Sequence, residues 1–292
     1  MADTTQNGEL HVILGTGPLA QGTMRALLAR GKTTRMVNRS GQVAVPAGVV
    51  VTRGDLYDPA SVRALCAGAT VVYQCAQPAY QEWQAKFPPL QASIVEGVAT
   101  SGARLVVAEN LYMYGPVAVP MTEELPNAAT TRKGRTRARM SEALLEAHRA
   151  GKLPVAIGRG ADFYGPGVLD SALGDRIFYP ALAGKTASAI GDLDQPHTYT
   201  YIDDFGAALV QLGASDAAFG QVWHVPNAPT MTTRAILGEL FALLGTPPEM
   251  SGMGKLMMRL GGIVIPGARE TVEMMYEFDR PFIVDHTNSS FR

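Results

Sequence analysis

The chain near its start reads His11-Val-Ile-Leu-Gly-Thr-Gly-Pro-Leu-Ala-Gln-Gly22. The apolar beginning predicts a buried strand, and the glycines that follow predict a tight turn into a helix. The spacing is G-x-G-x-x-A: the first glycine turns the chain, the second admits a pyrophosphate, and the small third residue packs the helix closely. A turn without a ligand is the alternative. The contacts that we predict in this turn are Gly15, Thr16, Gly17, Leu19 and Ala20.

Strands and helices continue in alternation after this turn, which predicts an α/β fold with a Rossmann-type, doubly wound parallel sheet. Ligands of such sheets bind beyond the carboxyl ends of the strands. The alternation weakens after about Gly165. We therefore expect residues 1–165 to form the NAD(P)-binding domain and residues 166–292 to form mainly a smaller C-terminal substrate lobe, with residues 200–225 returning to the first domain. The later strands are expected at Thr34–Asn38, Val49–Thr52, Thr70–Cys75, Arg104–Ala108 and Val155–Gly158, and helices at Pro59–Cys66, Pro89–Ser101 and Arg137–Ala150.

The composition predicts a folded protein that has no overall electrostatic attraction to polyanions. Hydrophobic residues make up 47% of the 292 residues, charged residues make up 17%, and the net charge is −1. The small charged fraction argues against a disordered chain. The net charge argues against binding to nucleic acid or to anionic membranes. Cys66 and Cys75 form neither a disulfide framework nor a C-x-x-C pair, and Met1–Glu9 is too polar for a signal segment. We therefore expect a cytoplasmic protein that binds neither nucleic acid nor membrane.

The end of the second predicted strand bears on the choice of nucleotide. It reads Val37-Asn38-Arg39-Ser40, where NAD-binding chains carry an acidic residue for the ribose 2′-hydroxyl. No carboxylate is present to repel a 2′-phosphate, Arg39 can pair with one, and Asn38 and Ser40 can donate hydrogen bonds to it. We expect NADP as the cofactor, with NAD as the alternative; for Arg39 the alternative is a solvated loop arginine.

Six motifs, taken together in their order and spacing, resemble the extended or atypical short-chain dehydrogenase/reductase superfamily, of the NAD(P)-dependent epimerase/dehydratase type. The resemblance covers nearly the whole chain and implies a Rossmann domain, a carboxy-terminal substrate lobe and often a homodimer. It also implies adenine contacts at Asp55 and Leu56 and further cofactor contacts at Cys75, Ala76 and Gln77. The six motifs are Gly15–Ala20, Gly54–Leu56, Val71–Ala76, Tyr112–Gly115, Arg159–Gly167 and Tyr201–Asp204.

The chain departs from this family where its catalytic residues would stand. The place of the family's serine falls on Asn110, and the places of Tyr-x-x-x-Lys fall on Gly134 and Ala138. A tyrosine needs a nearby cation to release its proton at neutral pH, and none of the ten tyrosines has a lysine four residues later. Asn110, as an oxyanion donor, and Tyr112, as an acid, are the replacements that we consider; a structural role is the alternative for both.

A basic run, Arg132–Arg139, begins the helix that follows. A solvated helix start is the simple interpretation. Cations at a helix N-terminus oppose its macrodipole, however, which suggests a compensating anion such as an acidic substrate, a phosphate or a partner carboxylate. Lys133 is the flexible cation nearest to the place of the family's lysine, and we treat it as a third catalytic candidate.

Two residues in the later part of the chain are candidates for binding a small-molecule substrate. Tyr164 follows the sixth predicted strand, and His197 stands about where nucleotide-sugar epimerases of this family place an arginine that grips the substrate diphosphate. A packing turn and a backbone-bonded histidine are the alternatives. No cysteine and histidine cluster has metal-ligand spacing, so we predict no metal.

Taken together, these patterns predict an NAD(P)-dependent oxidoreductase or epimerase that prefers NADPH and acts on a small organic carbonyl or enone. The missing Tyr-x-x-x-Lys pair leaves a second hypothesis from another class open. In that hypothesis the chain is a non-catalytic sensor or regulatory protein that binds NADP without turning over a substrate.

Overall fold

The computed structural model describes residues 8–261 and 270–287. The strands are β1 (Leu10–Leu14), β2 (Thr33–Asn38), β3 (Val50–Arg53), β4 (Ala69–Gln74), β5 (Arg104–Glu109), β6 (Val155–Arg159), β7 (Asp162–Tyr164), β8 (Ala187–Ile190), β9 (Pro196–His197), β10 (Tyr199–Tyr201), β11 (Val222–His224), β12 (Met231–Thr232) and β13 (Met250–Met253). The helices are α1 (Pro18–Ala29), α2 (Pro59–Leu65), α3 (Trp83–Ala99), α4 (Arg132–Arg149), α5 (Asp175–Leu182), α6 (Ile202–Ala214), α7 (Thr233–Leu244) and α8 (Lys255–Gly261). Short 3₁₀ helices span Tyr80–Glu82, Tyr112–Tyr114, Asp216–Ala218 and Val272–Glu277.

A seven-stranded sheet forms the centre of the molecule, in the order β11-β6-β5-β4-β1-β2-β3. All of its neighbouring strands run parallel. Parallel strands are covered by helices on both faces, so they consist of continuous apolar residues such as Leu105–Val107 and Val155–Ile157, which are fully buried. The predicted α/β fold of the Rossmann type is therefore confirmed.

Two helical layers cover the two faces of this sheet. Side chains of α2, α3 and α4 pack on one face, with Ile94 and Leu144 fully buried in that layer. Side chains of α1 and α6 pack on the other face, where Leu27 and Phe205 are fully buried. The expected ligand crevice lies beyond the carboxyl ends of the strands of this sheet.

The later part of the chain is divided between the sheet and a second core. Helix α6 packs with α1, and β11 pairs with β6 at the edge of the seven-stranded sheet. The pairs β7–β10, β8–β13 and β9–β12 form small separate sheets. Leu173, Ile177, Leu237 and Phe241 form the buried centre of this second unit. Among the described helices, none is long and apolar enough to span a membrane.

Two helices begin earlier than their sequence patterns predict. Helix α3 begins at Trp83 and continues through Pro88 and Pro89, although the prolines suggest a start at Pro89. Helix α4 begins at Arg132 instead of Arg137, because Thr131 caps it through a hydrogen bond from the Gly134 nitrogen to its Oγ1 (3.1 Å). The basic run therefore forms the first two turns of α4.

Candidate functional site

The glycine turn after β1 has the shape that a pyrophosphate requires. Gly15 has a φ of +118°, and a Cβ atom at this position would lie 3.0 Å from the Ala76 nitrogen. Gly17 is the exposed N-cap of α1, and no atom lies within 4 Å of the position of its missing Cβ. The backbone at Gly17 is therefore open on the side of the helix N-terminus, so these residues fit a dinucleotide.

The other residues predicted in this turn and after β4 surround the same point. Ala20 is fully buried, and Leu19 is partly buried beside it. The Cys75 nitrogen donates to the Leu14 oxygen (3.0 Å), which extends the pairing of β4 with β1 up to Ala76. Burial raises the pKa of the Cys75 thiol to about 12, so this side chain is a neutral thiol that lines the turn. The predicted contacts at Thr16 and at the exposed Gln77 lie along the same edge.

The loop after β2 uses its polar side chains differently from the prediction. Asn38 Nδ2 donates to Thr16 Oγ1 (3.2 Å) and to the Gln42 oxygen (3.0 Å). The Ser40 hydroxyl donates to Asn38 Oδ1 (3.1 Å) and to the Gln42 oxygen. These donors, which we expected to serve a 2′-phosphate, instead hold the loop and the glycine turn together. Arg39 is exposed, and within the described residues it forms no ion pair.

The predicted adenine contacts lie at the end of β3. Asp55 is exposed, and its Oδ1 accepts a hydrogen bond from the Tyr57 nitrogen (2.9 Å). Leu56 is buried against the face of the sheet that α2 and α3 cover. Only Asp55 of this pair has an exposed polar side chain, and both contacts remain predictions.

The positions that correspond to the family's tyrosine and lysine, Gly134 and Ala138, carry neither a proton donor nor a cation. A Cβ atom at Gly134 would lie 2.7 Å from the Tyr112 carbonyl oxygen and 2.5 Å from Ala129 Cβ. The backbone of Tyr112 therefore occupies the space of any side chain at position 134. Ala138 is buried in the apolar cluster beneath this turn. The Tyr-x-x-x-Lys arrangement is thus absent from α4 in space as well as in sequence.

Polar side chains gather instead at the carboxyl ends of β4 and β5. Asn110 Oδ1 accepts a hydrogen bond from the Tyr112 nitrogen (3.4 Å), which leaves the Asn110 amide N–H groups available to a ligand. The Tyr80 hydroxyl donates to the Tyr112 oxygen (3.3 Å), so the Tyr112 proton is directed elsewhere. The predicted candidates Asn110 and Tyr112 therefore lie together, and Tyr80 joins them from the segment after β4.

Neither tyrosine of this pair is activated to release its proton. Burial raises the pKa of Tyr112 well above its ordinary value of 10, and the negative charge of Asp162 adds to the rise. Burial also raises the pKa of Tyr80. Both hydroxyl groups stay protonated at neutral pH and can donate hydrogen bonds, and the role of Tyr112 as an acid remains a prediction.

Lys133 is not the flexible cation that the sequence suggested. Its side chain is buried, and its Nζ forms ion pairs with Glu270 and with Glu273 (3.3 Å to Oε1). Nζ also lies 4.4 Å from the centre of the Tyr80 ring. Two carboxylates compensate this cation, which agrees with a structural role, and its catalytic role remains a prediction. The anion that the basic run required is supplied by the chain itself.

The rest of the basic run alternates between solvent and the interior. Arg132, Arg135 and Arg139 are exposed, as a solvated helix start predicts. Arg137 is instead 2% exposed and forms an ion pair with Glu109 (3.5 Å), which also binds Arg159 (3.1 Å). This buried network ties α4 to β5 and β6 below the crevice.

His197 is enclosed where a substrate contact was expected. It is 2% exposed and lies between the rings of Phe278 (5.1 Å between centroids) and Phe282 (4.9 Å). Its Nδ1 lies 3.1 Å from the Glu277 carbonyl oxygen, and its Nε2 lies 2.8 Å from Asp162 Oδ2. An imidazole held in this way reaches a substrate only through Asp162.

Asp162 and Glu277 are site residues that the sequence analysis missed. Asp162 begins β7 just after β6, inside the motif Arg159–Gly167, and its position after a strand was a usable signal. Glu277 is 1% exposed, and neither of its carboxyl oxygens has a hydrogen-bond partner in the described part of the chain. Burial, followed by the charge of Asp162, raises its pKa well above the ordinary value. No sequence pattern marks Glu277.

Tyr164 lies at the border between the crevice and the second core. Its ring is partly buried 5.4 Å from the ring of Tyr201, and burial raises its pKa. Its role as a substrate contact remains a prediction. Within residues 8–261 and 270–287, no group of three or more His, Cys, Asp or Glu side chains is arranged to hold a metal ion.

Comparisons with known proteins agree with this geometry. No curated protein matches the chain. A dTDP-glucose 4,6-dehydratase from Bacillus anthracis, solved with NAD, is 15% identical with a TM-score of 0.77, over 96% of this chain and 88% of that one. A UDP-glucuronic acid 4-epimerase from Bacillus cereus, also with NAD, is 16% identical with a TM-score of 0.79, over 97% and 91%. A UDP-N-acetylglucosamine 4-epimerase from Methanobrevibacter ruminantium is 15% identical with a TM-score of 0.79, over 98% and 93%.

Identities this low show a shared fold and nothing finer. The family comparison is more specific, because the model of the NAD dependent epimerase/dehydratase family matches residues 12–225. That range contains the glycine turn and all of the seven-stranded sheet except the first two residues of β1. The chain therefore belongs to the NAD-dependent epimerase/dehydratase family.

Proposed function

We propose that this protein is an NAD(P)(H)-dependent oxidoreductase, or an epimerase, that prefers NADPH and acts on a small organic carbonyl or enone. One observation carries the proposal. Asn110, Tyr112 and Asp162 lie at the carboxyl ends of adjacent strands of the same sheet whose first strand ends in the open glycine turn. A bound dinucleotide and polar groups that can hold a reacting oxygen therefore share one crevice.

The chain's own residues have distinct tasks in this proposal. Gly15, Gly17 and the N-terminus of α1 hold the pyrophosphate, and the bound nicotinamide supplies or accepts a hydride. The Asn110 amide and the Tyr112 hydroxyl donate hydrogen bonds to the substrate oxygen, because the existing bonds of both groups leave these donors available. They stabilise negative charge on that oxygen as an oxyanion hole does.

The buried state of His197 favours a small carbonyl over a nucleotide sugar. The solved enzymes named above act on nucleotide-activated sugars according to their names, and the family resemblance implies a cation at about this place for the diphosphate. His197 is enclosed by aromatic rings and committed to Asp162 and Glu277, so it cannot grip a diphosphate. We therefore rank nucleotide sugars as the second substrate class.

The preference for NADPH rests on Arg39 and on the absence of a carboxylate from the loop after β2. The loop after β2 carries no carboxylate that would repel a 2′-phosphate, but the donors of Asn38 and Ser40 are bonded within the loop. An exposed arginine can still pair with a phosphate. The similar structures hold NAD, so NAD remains the alternative cofactor. Cys66 and Cys75 are free thiols, in keeping with the reducing cytoplasm that we propose.

A sensor that binds NADP without turnover is the second candidate function. The observation in its favour is the blocked position 134, where the Tyr112 backbone leaves no room for the family's tyrosine. Together with the compensated Lys133, this removes the usual proton donor and its cation from α4. A regulatory protein needs only the glycine turn and a conformational response to the nucleotide.

Turnover measurements separate the candidates. We would follow NADPH and NADH oxidation over a panel of aldehydes, ketones and enones, and would incubate dTDP-glucose and UDP-glucuronic acid with NAD⁺ and analyse the products by chromatography. Oxidation of NADPH by a panel carbonyl is the expected result. Conversion of a sugar nucleotide alone indicates the second substrate class. Tight NADPH binding without any turnover overturns the enzyme proposal in favour of the sensor.

A binding measurement tests the nucleotide preference separately. We expect Arg39→Ala to weaken the affinity for NADPH by about tenfold, because one charge-assisted hydrogen bond to phosphate is lost. The affinity for NADH should stay within about threefold of the unaltered protein. Arg149→Ala is the matched control, because Arg149 is an exposed arginine at the far end of α4. Equal affinities of the unaltered protein for NADPH and NADH would contradict the preference.

A further inference from the structure

We propose that Asp162 and His197 form the proton-transfer pair of this protein, with Asp162 as a catalytic residue that contacts the substrate oxygen and His197 as its positioning residue. The pair takes the place of the absent Tyr-x-x-x-Lys arrangement. This inference rests on the proposed oxidoreductase function. It assigns roles to two residues that are hydrogen-bonded to each other in the structure.

The hydrogen bonds of His197 determine where its protons are. Nδ1 lies 3.1 Å from the Glu277 carbonyl oxygen, and a carbonyl oxygen can only accept, so Nδ1 carries a proton. Nε2 lies 2.8 Å from Asp162 Oδ2, and this contact also needs a proton between the two atoms. That proton is on Nε2 beside a carboxylate or on Oδ2 beside a neutral ring. In both forms the pair holds one shared proton and has no net charge.

The surroundings keep the imidazole from turning or from meeting a substrate itself. The rings of Phe278 and Phe282 stack on His197 with interplanar angles of 4° and 19°, and the Tyr199 ring lies 4.4 Å away between centroids. A side chain that is 2% exposed cannot exchange protons with a ligand directly. His197 therefore acts through the carboxyl group that it holds.

Asp162 has the opposite character. Its side chain remains 19% exposed, and in the described residues Oδ1 has no hydrogen-bond partner, while Oδ2 is held by His197. It starts β7 next to the carboxyl end of β6, on the edge of the sheet that also carries Asn110 and Tyr112. The titratable groups that its charge reaches are Tyr80, Tyr112, Tyr199, Tyr276 and Glu277.

These neighbours do not offer a better proton donor. Burial raises the pKa of Tyr80, Tyr112 and Tyr276, so each hydroxyl gives up its proton less readily than an ordinary tyrosine does. Lys133, whose Nζ lies 4.4 Å from the centre of the Tyr80 ring, is paired with two carboxylates. Glu277 is fully buried, so a substrate cannot touch its carboxyl group. Asp162 is the carboxyl group here that combines exposure with a buried, proton-sharing partner.

These two residues account for the proton that is transferred when an alcohol is oxidised or a carbonyl is reduced. When an alcohol is oxidised, its O–H bond breaks, the proton forms a bond with Asp162 Oδ1, and the shared proton rests on His197 Nε2. The pair then consists of a carboxylic acid beside an imidazolium and carries one positive charge. A bound oxidised nicotinamide would accept the hydride that the substrate carbon loses with the electron pair of its C–H bond. Reduction of a carbonyl reverses each transfer, so that Oδ1–H protonates the substrate oxygen.

The first test observes the pair without substrate. In protein labelled with [¹⁵N]histidine, long-range ¹H–¹⁵N correlation reports the protonation of both ring nitrogens, and His197→Gln identifies the His197 signals. We expect a proton on Nδ1 in the unaltered protein and in Asp162→Asn. We expect the Nε2 signal to differ between the two, because a carboxamide cannot share the proton. Identical Nε2 signals would overturn the pair.

The second test uses the carbonyl that turns over fastest in the panel above. We expect Asp162→Asn to lower kcat by about 100-fold or more, as loss of a general acid–base group does, while NADPH affinity stays within about threefold. His197→Gln keeps a donor to Asp162 but cannot take up a proton, so it should lower kcat and shift its pH profile with KM little changed. Asp216→Asn, 87% exposed on its side chain, is the matched control.

The outcomes distinguish this inference from the function on which it rests. Activity that survives in a folded Asp162→Asn variant within threefold of the unaltered protein overturns the pair and leaves the oxidoreductase proposal standing. Absence of turnover on every panel compound overturns the proposed function, and the catalytic pair with it. Thermal unfolding of each variant shows whether a loss of activity reflects a loss of fold.

Discussion

At the scale of single residues, Glu277 is a carboxyl group that the fold removes from water. Its side chain is 1% exposed and its two carboxyl oxygens lack partners in the described residues, while its backbone carbonyl accepts the Nδ1 proton of His197. Burial raises its pKa well above the ordinary value, and the charge of Asp162 adds to this effect. The folded protein therefore holds Glu277 protonated, because an ionised carboxylate would be buried without compensation.

Glu277 makes stability depend on pH in a definite direction. A glutamate in the unfolded chain ionises above about pH 4.3. The folded chain keeps this proton to higher pH, so between these pKa values the folded state binds more protons and stability falls as pH rises. Relative to Glu277→Gln, we expect the unaltered protein to lose up to about 1.4 kcal/mol of unfolding free energy per pH unit between pH 5 and pH 7. Urea unfolding at several pH values measures this difference.

The control for this experiment is Glu142→Gln, which removes an exposed glutamate from α4. A free-energy difference between Glu277→Gln and the unaltered protein that stays constant from pH 5 to pH 7 would show that Glu277 is ionised in the folded state.

At the scale of secondary-structure elements, the N-terminus of α4 shows how a basic helix start is stabilised. Arg132 and Lys133 occupy its first turn, where positive charge opposes the helix dipole. Glu270 and the 3₁₀ helix Val272–Glu277 supply the compensation: the Arg132 nitrogen donates to Glu273 Oε2 (3.0 Å), and both Glu270 and Glu273 bind Lys133. Since Lys133 is buried, these ion pairs also fasten the C-terminal segment to the Rossmann core.

The double variant Glu270→Gln, Glu273→Gln tests this element. It leaves a buried cation without its partners, so we expect a loss of about 3 kcal/mol of unfolding free energy. Adding Lys133→Met should recover a substantial part of that loss, because the uncompensated charge is then gone. Glu146→Gln is the control, since its pair with Arg149 is exposed and should contribute less than about 0.5 kcal/mol. Equal effects of the buried and exposed substitutions in chemical denaturation would contradict the assignment.

At the scale of the whole molecule, the packing of α1 against α6 joins an early and a late segment of the chain. Helix α1 carries the glycine turn, and α6 comes from the later part of the chain. The helices meet at glycines: a Cβ atom at Gly206 would lie 2.4 Å from the Gly22 carbonyl carbon and from the Thr23 nitrogen. A backbone cannot move aside as a side chain does, so only glycine at position 206 permits this separation.

Gly206→Ala should therefore push α1 away from α6. We expect a loss of about 1–3 kcal/mol of unfolding free energy from overpacking, together with weaker NADPH binding, because the N-terminus of α1 moves relative to β1. Gly238→Ala is the matched control: Gly238 lies within α7, and no atom is within 4 Å of its missing Cβ. The control should gain about 0.5–1 kcal/mol, as alanine favours helix over glycine. Unaltered nucleotide affinity in Gly206→Ala would show that the packing of α1 against α6 does not position the glycine turn for binding.

Local patterns in the sequence determined the fold and the glycine turn at which we propose that the nucleotide binds. Apolar runs separated by amphipathic segments predict parallel strands and covering helices, since burial on both faces requires continuous apolar residues. The glycine spacing after β1 predicts the turn, because the conformation at Gly15 and the open space at Gly17 are properties of a few consecutive residues. The absence of the usual tyrosine and lysine is equally local, and position 134 confirms it with a steric reason.

The tertiary structure alone decided how the polar residues pair. Asp162, His197 and Glu277 come from β7, β9 and a 3₁₀ helix near the end of the chain, and Lys133 meets Glu270 and Glu273 across a similar distance in sequence. Such contacts depend on how whole elements pack, and no periodicity along the chain encodes them. For the same reason Asn38 looked available for phosphate until its bonds to Thr16 and Gln42 were seen. Short-range patterns decide which backbone forms, whereas long-range packing decides which protons and charges meet.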